Sequence, residues 1–445
     1  MIIDREPTIR VGLITAAPEV KFVLDGGFVS SGQSVPDGEH SARLLDGAAS
    51  TDWSTANEIV VSPRDLEQSR FTVHGVKIGI NFHWEREESQ RFEGVLKIVA
   101  SEAGLTIINE LPLESYLVSV ISSEMSASCP MELLKAHAVV SRSWLLAQLS
   151  QDAGVASEIR AKKPANGNGE LIRWYDRENH SGFDVCADDH CQRYQGISKA
   201  FSQAAFEAVR DTRGKTLIFE NKICDTRYSK SCGGMTEVYR AAWEDKDVPY
   251  LPSIYDAPTQ EPEGYVMPLS IEKNAVAWID SSPDSYCGAV TPDLLRRIVP
   301  AFDQETPDFY RWRVEYGQSE LREILKTRLG IDFGLIRSME AIERGESGRI
   351  IRLNIVGANK TLVIGKELEI RRALSRSHLY SSAFVVHASD EQESGCPKSF
   401  VLSGAGWGHG VGLCQIGAAV MADRGANHLQ ILSHYFKGAE TADLY

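Results

Sequence analysis

A chain of 445 residues is longer than one hydrophobic core usually serves, so two or three domains are expected. Apolar residues make up 43% and charged residues 24%, ordinary globular proportions that exclude a disordered chain. With 47 basic against 61 acidic residues the net charge is −14, which excludes a nucleic-acid partner, whose phosphates would reward a basic face.

The opening MIIDREPTIRVG puts acids and a proline where a secretory signal would need an apolar run, so no signal peptide is expected. No run of about 18 uncharged apolar residues follows, so no transmembrane segment is expected either. Eight cysteines are too sparse for a disulfide scaffold; without a signal they read as reduced thiols, used for metal binding or simple burial.

Residues 1–108 read as strands: TIRVGLI, VKFVL, RFTVHGVKIGINF and EGVLKIVA are β-rich runs separated by Gly, Ser and Asp. Helical spacing begins at Leu113, with Leu117, Val120, Ile121 and Glu124 on the same face. Pro130 suits the first turn of a second helix, MELLKAHAVVSRSWLLAQL. KKPANGNGE is the least ordered stretch of the loop that follows. GISKAFSQAAFEAVRDT predicts a helix, and KTLIFENKICDTRY a strand pair turning at Glu220-Asn221. QSELREILKTRLG is helical, GRIIRLNIVGANKTLVIG a hairpin turning near Gly357-Ala358-Asn359, and GAGWGHGVGLCQIGAAVMADRG a glycine-rich loop entering a helix. The whole is expected to be α+β: an N-terminal β-rich domain over 1–108, then a mixed α/β catalytic core in two parts, 109–251 and 336–445. An insertion or small subdomain, 252–335, falls between them.

Glu124 ends an apolar helix face. Desolvation there would disfavour its charged form, and a carboxyl kept protonated is what a general acid needs. The competing reading is a helix-end acid paired with a basic residue such as Arg142. Glu110 and Glu114 lie off that face and read as solvated surface acids.

Three blocks carry a resemblance. LPLESYLVSVISSEMSASCPMELLKAHAVVSRSW, YSKSCGGMTEVY and GWGHGVGLCQIGAAVMADRG, in that order, resemble the stage II sporulation protein D family, over roughly Leu111 to Gly438. The resemblance implies a lytic transglycosylase acting on peptidoglycan glycan strands, with Glu124 as the catalytic acid. A second branch, the amidase enhancers, implies instead a non-catalytic glycan-binding module that activates a cell-wall amidase. A third reading is an intracellular zinc-bearing protein that reuses the fold. One carboxylate suffices for a lytic transglycosylase, whereas a hydrolase usually needs two. The family also implies the cell envelope, which sits uneasily with the missing signal and leaves localisation open.

In the same reading Tyr228, Ser231, Gly233 and Gly234 line the glycan groove. Tyr228 stacks on the sugar or hydrogen-bonds it, unless the block is only a tight turn around a buried tyrosine. Cys232 has no motif linking it to a base and reads as a small buried residue rather than a nucleophile. His409 contacts substrate or orients Glu124, or else merely shapes a turn; Gln415 is a further sugar contact. Arg142 pairs with a carboxylate or with the lactyl acid of muramic acid, against a plain surface arginine. GWGHGVGLCQ lacks the ending of a phosphate loop, and no organic cofactor is expected.

HSGFDVCADDHC offers His180, Cys186, His190 and Cys191, thiol and imidazole donors at zinc-ligand spacing. Some family members carry a His/Cys zinc site at this place. The preferred set is His180, Cys186 and Cys191, because adjacent His190 and Cys191 would strain to reach one Zn2+ ion. Unmetallated thiols in a loop are the alternative.

Overall fold

The computed structural model describes residues 5–79, 85–126, 128–152, 169–175, 180, 182–188, 190–198, 202–259, 262–299, 308–389 and 395–445. Most of KKPANGNGE, residues 199–201 and the end of RFTVHGVKIGINF lie outside the described residues; Gly196–Ser198, where a helix is expected to start, form a turn, and the helix begins at Gln203. Strands make up 36% and helices 25%, in mixed sheets, so the α+β expectation holds.

Two sheets form the N-terminal part. One runs Val185–Cys186, Thr8–Ala17, Gly104–Pro112, Val95–Ser101, Glu58–Pro63, Phe28–Ser30 and Gln33–Val35; the other runs Arg86–Phe92, Arg70–Ile78, Glu19–Asp25, Gly38–Leu45, Ala48–Ser50 and Thr55–Ala56. Alternate residues point inward: Ile9 and Val11, Phe22 and Leu24, Phe71 and Val73, Leu96 and Ile98 are all buried in one apolar cluster. Stacked rings continue that core toward the helices, Phe71 on Phe92, Phe92 on Tyr194 and Tyr194 on Tyr116, with centroids 5.5, 5.9 and 5.3 Å apart.

The strand Gly104–Pro112 leads directly into the helix Leu113–Glu124, and the long helix Met131–Asp152 follows. The expected single apolar face is wider than the spacing suggested. Tyr116 through Ile121 are all buried, because the sheet, the second helix and the 190–198 loop enclose this helix on several sides. The helix Gln203–Asp211 packs against both, capped by the Ser202 side chain accepting from the Ala205 N–H. Lys215–Phe219 pairs with Lys222–Ile223 and, on its other edge, with the C-terminal strand Glu440–Asp443.

Residues 252–335 divide between cores. Cys287, Leu294 and Ile298 sit in the same apolar cluster as the first helices, while Trp312, Leu321 and Phe333 share a second one with Leu353, Ile355 and Phe400. Arg311–Gly317 pairs along its whole length with Ser399–Ala405. A four-stranded sheet, Glu170–Ile172, Thr361–Gly365, Ile350–Gly357 and Ile336–Arg344, covers the other side of that second core. No helix is long and apolar enough to cross a membrane among the described residues.

Candidate active site

Glu124 stands where its helix ends. Met125 is extended and its N–H closes the last turn on the Ile121 carbonyl, so the chain leaves the core at this point. The carboxylate is therefore half-buried, not enclosed as its apolar neighbours implied. Its Oε1 accepts from the Arg193 N–H at 3.1 Å and from the Tyr228 hydroxyl at 3.3 Å. Oε2 has no hydrogen-bond partner among the described residues, and it is not one of the buried unpaired atoms, so it faces the open side of the site.

Tyr228 comes from a two-residue strand, Tyr228–Ser229, paired in parallel with Leu413–Cys414, which joins the YSKSCGG and GWGHGVGLCQ blocks directly. Behind the Tyr228 ring lies His137, 4.6 Å away and edge-on, and the His137 Nε2 meets the Gln415 amide nitrogen at 2.9 Å. A chain of contacts thus runs from Glu124 through Tyr228 and His137 to Gln415. Burial pushes the His137 imidazole down to about 3, with Lys230 adding to the effect, so it is neutral at pH 7. Sequence reading missed His137; the signal available was its place on the buried side of the second helix, which an apolar residue would fill equally well.

His409 holds a shaped turn beside this chain. Its Nδ1 accepts from the Val411 N–H at 3.0 Å and its ring edges onto Trp243 at 4.8 Å. Burial, then Arg227 and Arg349, hold its imidazole well below the ordinary value, so it too is neutral. The groups on Glu124 are Arg193 and Tyr228, and His409 adjoins the site through the Tyr228 backbone.

Four expected contacts fall elsewhere. Arg142 is fully buried, its guanidinium bound to both oxygens of Glu114 at 2.9 and 2.6 Å and to the Lys215 carbonyl at 3.0 Å. It is neither a surface arginine nor placed to meet a muramic lactyl group, and Glu114 is not a solvated acid. Ser231 is enclosed, its backbone bridged to Trp407. Gly233 and Gly234 do permit close approach, but by the protein itself: a Cβ on Gly233 would come 2.9 Å from the Gly406 nitrogen, and one on Gly234 2.9 Å from the Trp278 ring. Both have positive φ, 79° and 101°. A cavity of about 500 Å3 lies apart from Glu124, between the N-terminal sheets and the helix, and is lined by Arg70, Glu93, Ser119, Ser122 and Arg210 among others.

The loop 190–198 links the acid to the Cys/His group. The donor atoms of His180, Cys186, His190 and Cys191 all lie within 4.8 Å of one another. His180 Nε2 is 3.2 Å from Cys191 Sγ, and His190 Nδ1 is 3.6 Å from Cys191 Sγ and 3.9 Å from Cys186 Sγ. The expected strain between neighbours does not arise: a turn at His190 lets both side chains converge, so all four residues form the group. Hydrogen bonds from Cys191, His180 and His190 hold the Cys186 thiol far below its ordinary value. Two thiols and two imidazoles suit a closed tetrahedral zinc site. Cys186 is tied to the N-terminal sheet by pairing with Gly12, and two residues beyond Cys191 the Arg193 N–H meets Glu124. Gln192, Tyr194 and Gln195 pin the loop further, on Tyr116, Asn109 and Ser119.

Comparison with known proteins places part of the chain beside a described family. The family described as stage II sporulation protein matches residues 101–219. That stretch holds Glu124 and the Cys/His group, and the resemblance read from the sequence is borne out. A family described as a domain of unknown function (DUF8618) matches residues 237–412. The chain is 23% identical to a stage II sporulation protein D of Bacillus amyloliquefaciens, over 76% of each chain. It is 24% identical to an uncharacterized protein of Brachyspira hyodysenteriae over 84% of this chain and 75% of that one. It is also 24% identical to an amidase enhancer of Bacillus subtilis, over 72% of this chain but 39% of the enhancer.

Proposed function

We propose that this protein is a lytic transglycosylase that cleaves peptidoglycan glycan strands with Glu124 as both acid and base. The observation that carries this reading is a single half-exposed carboxylate with one oxygen held by Arg193 and Tyr228 and the other facing outward. With two donors on Oε1, Oε2 is the oxygen through which a proton would pass. Glu124 gives that proton to the glycosidic oxygen as the C1–O bond breaks. It then takes the proton of the muramic C6 hydroxyl as O6 bonds to C1, so a 1,6-anhydro ring forms and the carboxyl returns to its starting state. Tyr228, backed by His137, acts as a positioning residue for the acid.

Zinc belongs to the same proposal. His180, Cys186, His190 and Cys191 would hold it, and when bound it would supply a rigid cross-link. Its effect on the reaction runs through this chain's own backbone: Cys191 fixes the loop whose Arg193 N–H orients Glu124.

The test is Glu124→Gln. Anhydro-muropeptide release from purified wall glycan is expected to fall by about 100-fold or more while the fold is kept. Unchanged release would remove Glu124 from the chemistry. The likeness to an amidase enhancer supports a second reading, a glycan-binding activator of a cell-wall amidase. In that case the wild-type protein releases no anhydro products, yet raises the rate of an added amidase, and Glu124→Gln leaves that stimulation intact.

A further inference from the structure

Behind the candidate site, Cys232, Asp256, Cys287 and Cys414 bring their donor atoms within 4.8 Å of one another, and all four are fully buried. They come from four separate places: the YSKSCGG block, the segment after Leu251, the short turn Cys287–Ala289 and the residue that caps the helix Gln415–Asp423. We infer that these residues form a second, structural zinc site of three thiolates and one carboxylate.

The distances fit one ion. Tetrahedral zinc with Zn–S bonds near 2.3 Å sets sulfur atoms about 3.8 Å apart, and sulfur and carboxylate oxygen about 3.5 Å apart. Cys232 Sγ lies 3.7 Å from Cys287 Sγ and 3.2 Å from Asp256 Oδ2. The surroundings also suit thiolates. Cys414 Sγ accepts from the Cys232 and Gly417 N–H groups, each at 3.3 Å, at the positive end of its helix.

The carboxylate is aimed. Its Oδ1 is taken by the Tyr435 hydroxyl at 2.8 Å and His434 Nε2 at 3.2 Å, which turns Oδ2 toward the sulfurs. Gly417 makes room for it, since a Cβ there would come 2.4 Å from Asp256 Oδ2. Among the described residues no arginine or lysine pairs with Asp256; its ion-pair partner is His434. A buried carboxylate among three thiols without a strong cation is a costly arrangement, and a divalent ion bound by all four offsets part of that cost. With four protein ligands the site is closed, so its role is to clamp the two glycine-rich blocks together. Cys232 lies four residues from Tyr228, and Cys414 adjoins Gln415.

The test uses the full chain purified under reducing conditions without chelator. In the double variant Cys186→Ser/Cys191→Ser, which removes both thiols of the His/Cys group, about one equivalent of zinc should remain by elemental analysis. Adding Cys287→Ser should remove it, whereas Cys224→Ser, a buried thiol outside both groups, should not. Cobalt exchanged into the Cys186→Ser/Cys191→Ser protein, whose first group has no thiol left, should show thiolate-to-metal charge-transfer absorption and the visible bands of a tetrahedral ion. That spectrum reads the unaltered second cluster and decides the matter even if Cys287→Ser fails to fold. Zinc unaffected by Cys287→Ser in folded protein, cobalt binding without thiolate bands, or a mapped disulfide among Cys232, Cys287 and Cys414 would overturn the inference. None of these outcomes depends on whether Glu124 is catalytic or the first group binds metal.

Discussion

At the scale of single residues, burial decides what a charged side chain does. Arg142 and Glu114 lie 28 positions apart and form a bidentate pair, with the arginine fully enclosed and the Gly214 N–H and Tyr445 hydroxyl also on Glu114. Removing one partner strands the other's charge, so Arg142→Ala should destabilise the protein by about 3–5 kcal/mol in urea unfolding. Replacing both with apolar residues should cost less. His137 gives a pH prediction. Its folded value of about 3 lies below the 6.5 of the unfolded chain, so the unfolded state binds the extra proton over that range. His378, also pushed down to about 3 by burial, acts the same way. Stability should therefore be full above about pH 6.5 and fall as pH drops toward 3. His137→Gln, which keeps a polar group near Gln415, should flatten that slope in denaturation curves at pH 7 and 5.

Among the elements, strongly patterned segments were legible and weakly patterned ones were not. The turn at Glu220-Asn221 forms where expected, with both residues at positive φ, 49° and 61°. This is the mirror-image turn that matches strand twist, and Asn tolerates it better than most residues. Asn221→Ala should cost about 1 kcal/mol, readable as a lowered thermal midpoint with no change in glycan binding. The hairpin Ile350–Gly357 with Thr361–Gly365 and the helix Gln318–Leu329 also stand where their patterns placed them. Arg86–Phe92 was missed. REESQRF shows almost no apolar alternation because it is an edge strand with only Gln90 and Phe92 buried; its pairing with Arg70–Ile78 supplies what side chains do not.

For the whole molecule, the chain's far end completes its middle. Glu440–Asp443 adds a strand to Lys215–Phe219, Leu444 is buried, and the Tyr445 hydroxyl bonds Glu114. Removing residues 440–445 should bare Leu217 and loosen the Arg142–Glu114 pair. A fall in thermal midpoint of about 5 °C or more is expected by calorimetry. Pairing with Leu413–Cys414 likewise holds Tyr228 against Glu124, across 104 positions of sequence.

What the sequence by itself determined is the local chemistry: which segments are helical, where a tight turn sits, that position 124 carries an acid at a helix end, and that four zinc-type donors cluster within twelve residues. Periodicity and spacing report such things because they depend on neighbours along the chain. Only the tertiary structure decided that Glu124 is half-exposed and held by Arg193 and Tyr228, that Arg142 is interior, and that Cys232, Asp256, Cys287 and Cys414 converge. Exposure and hydrogen-bond partners are set by groups far away in sequence. A single chain read from end to end carries no measure of which of those distant groups will meet.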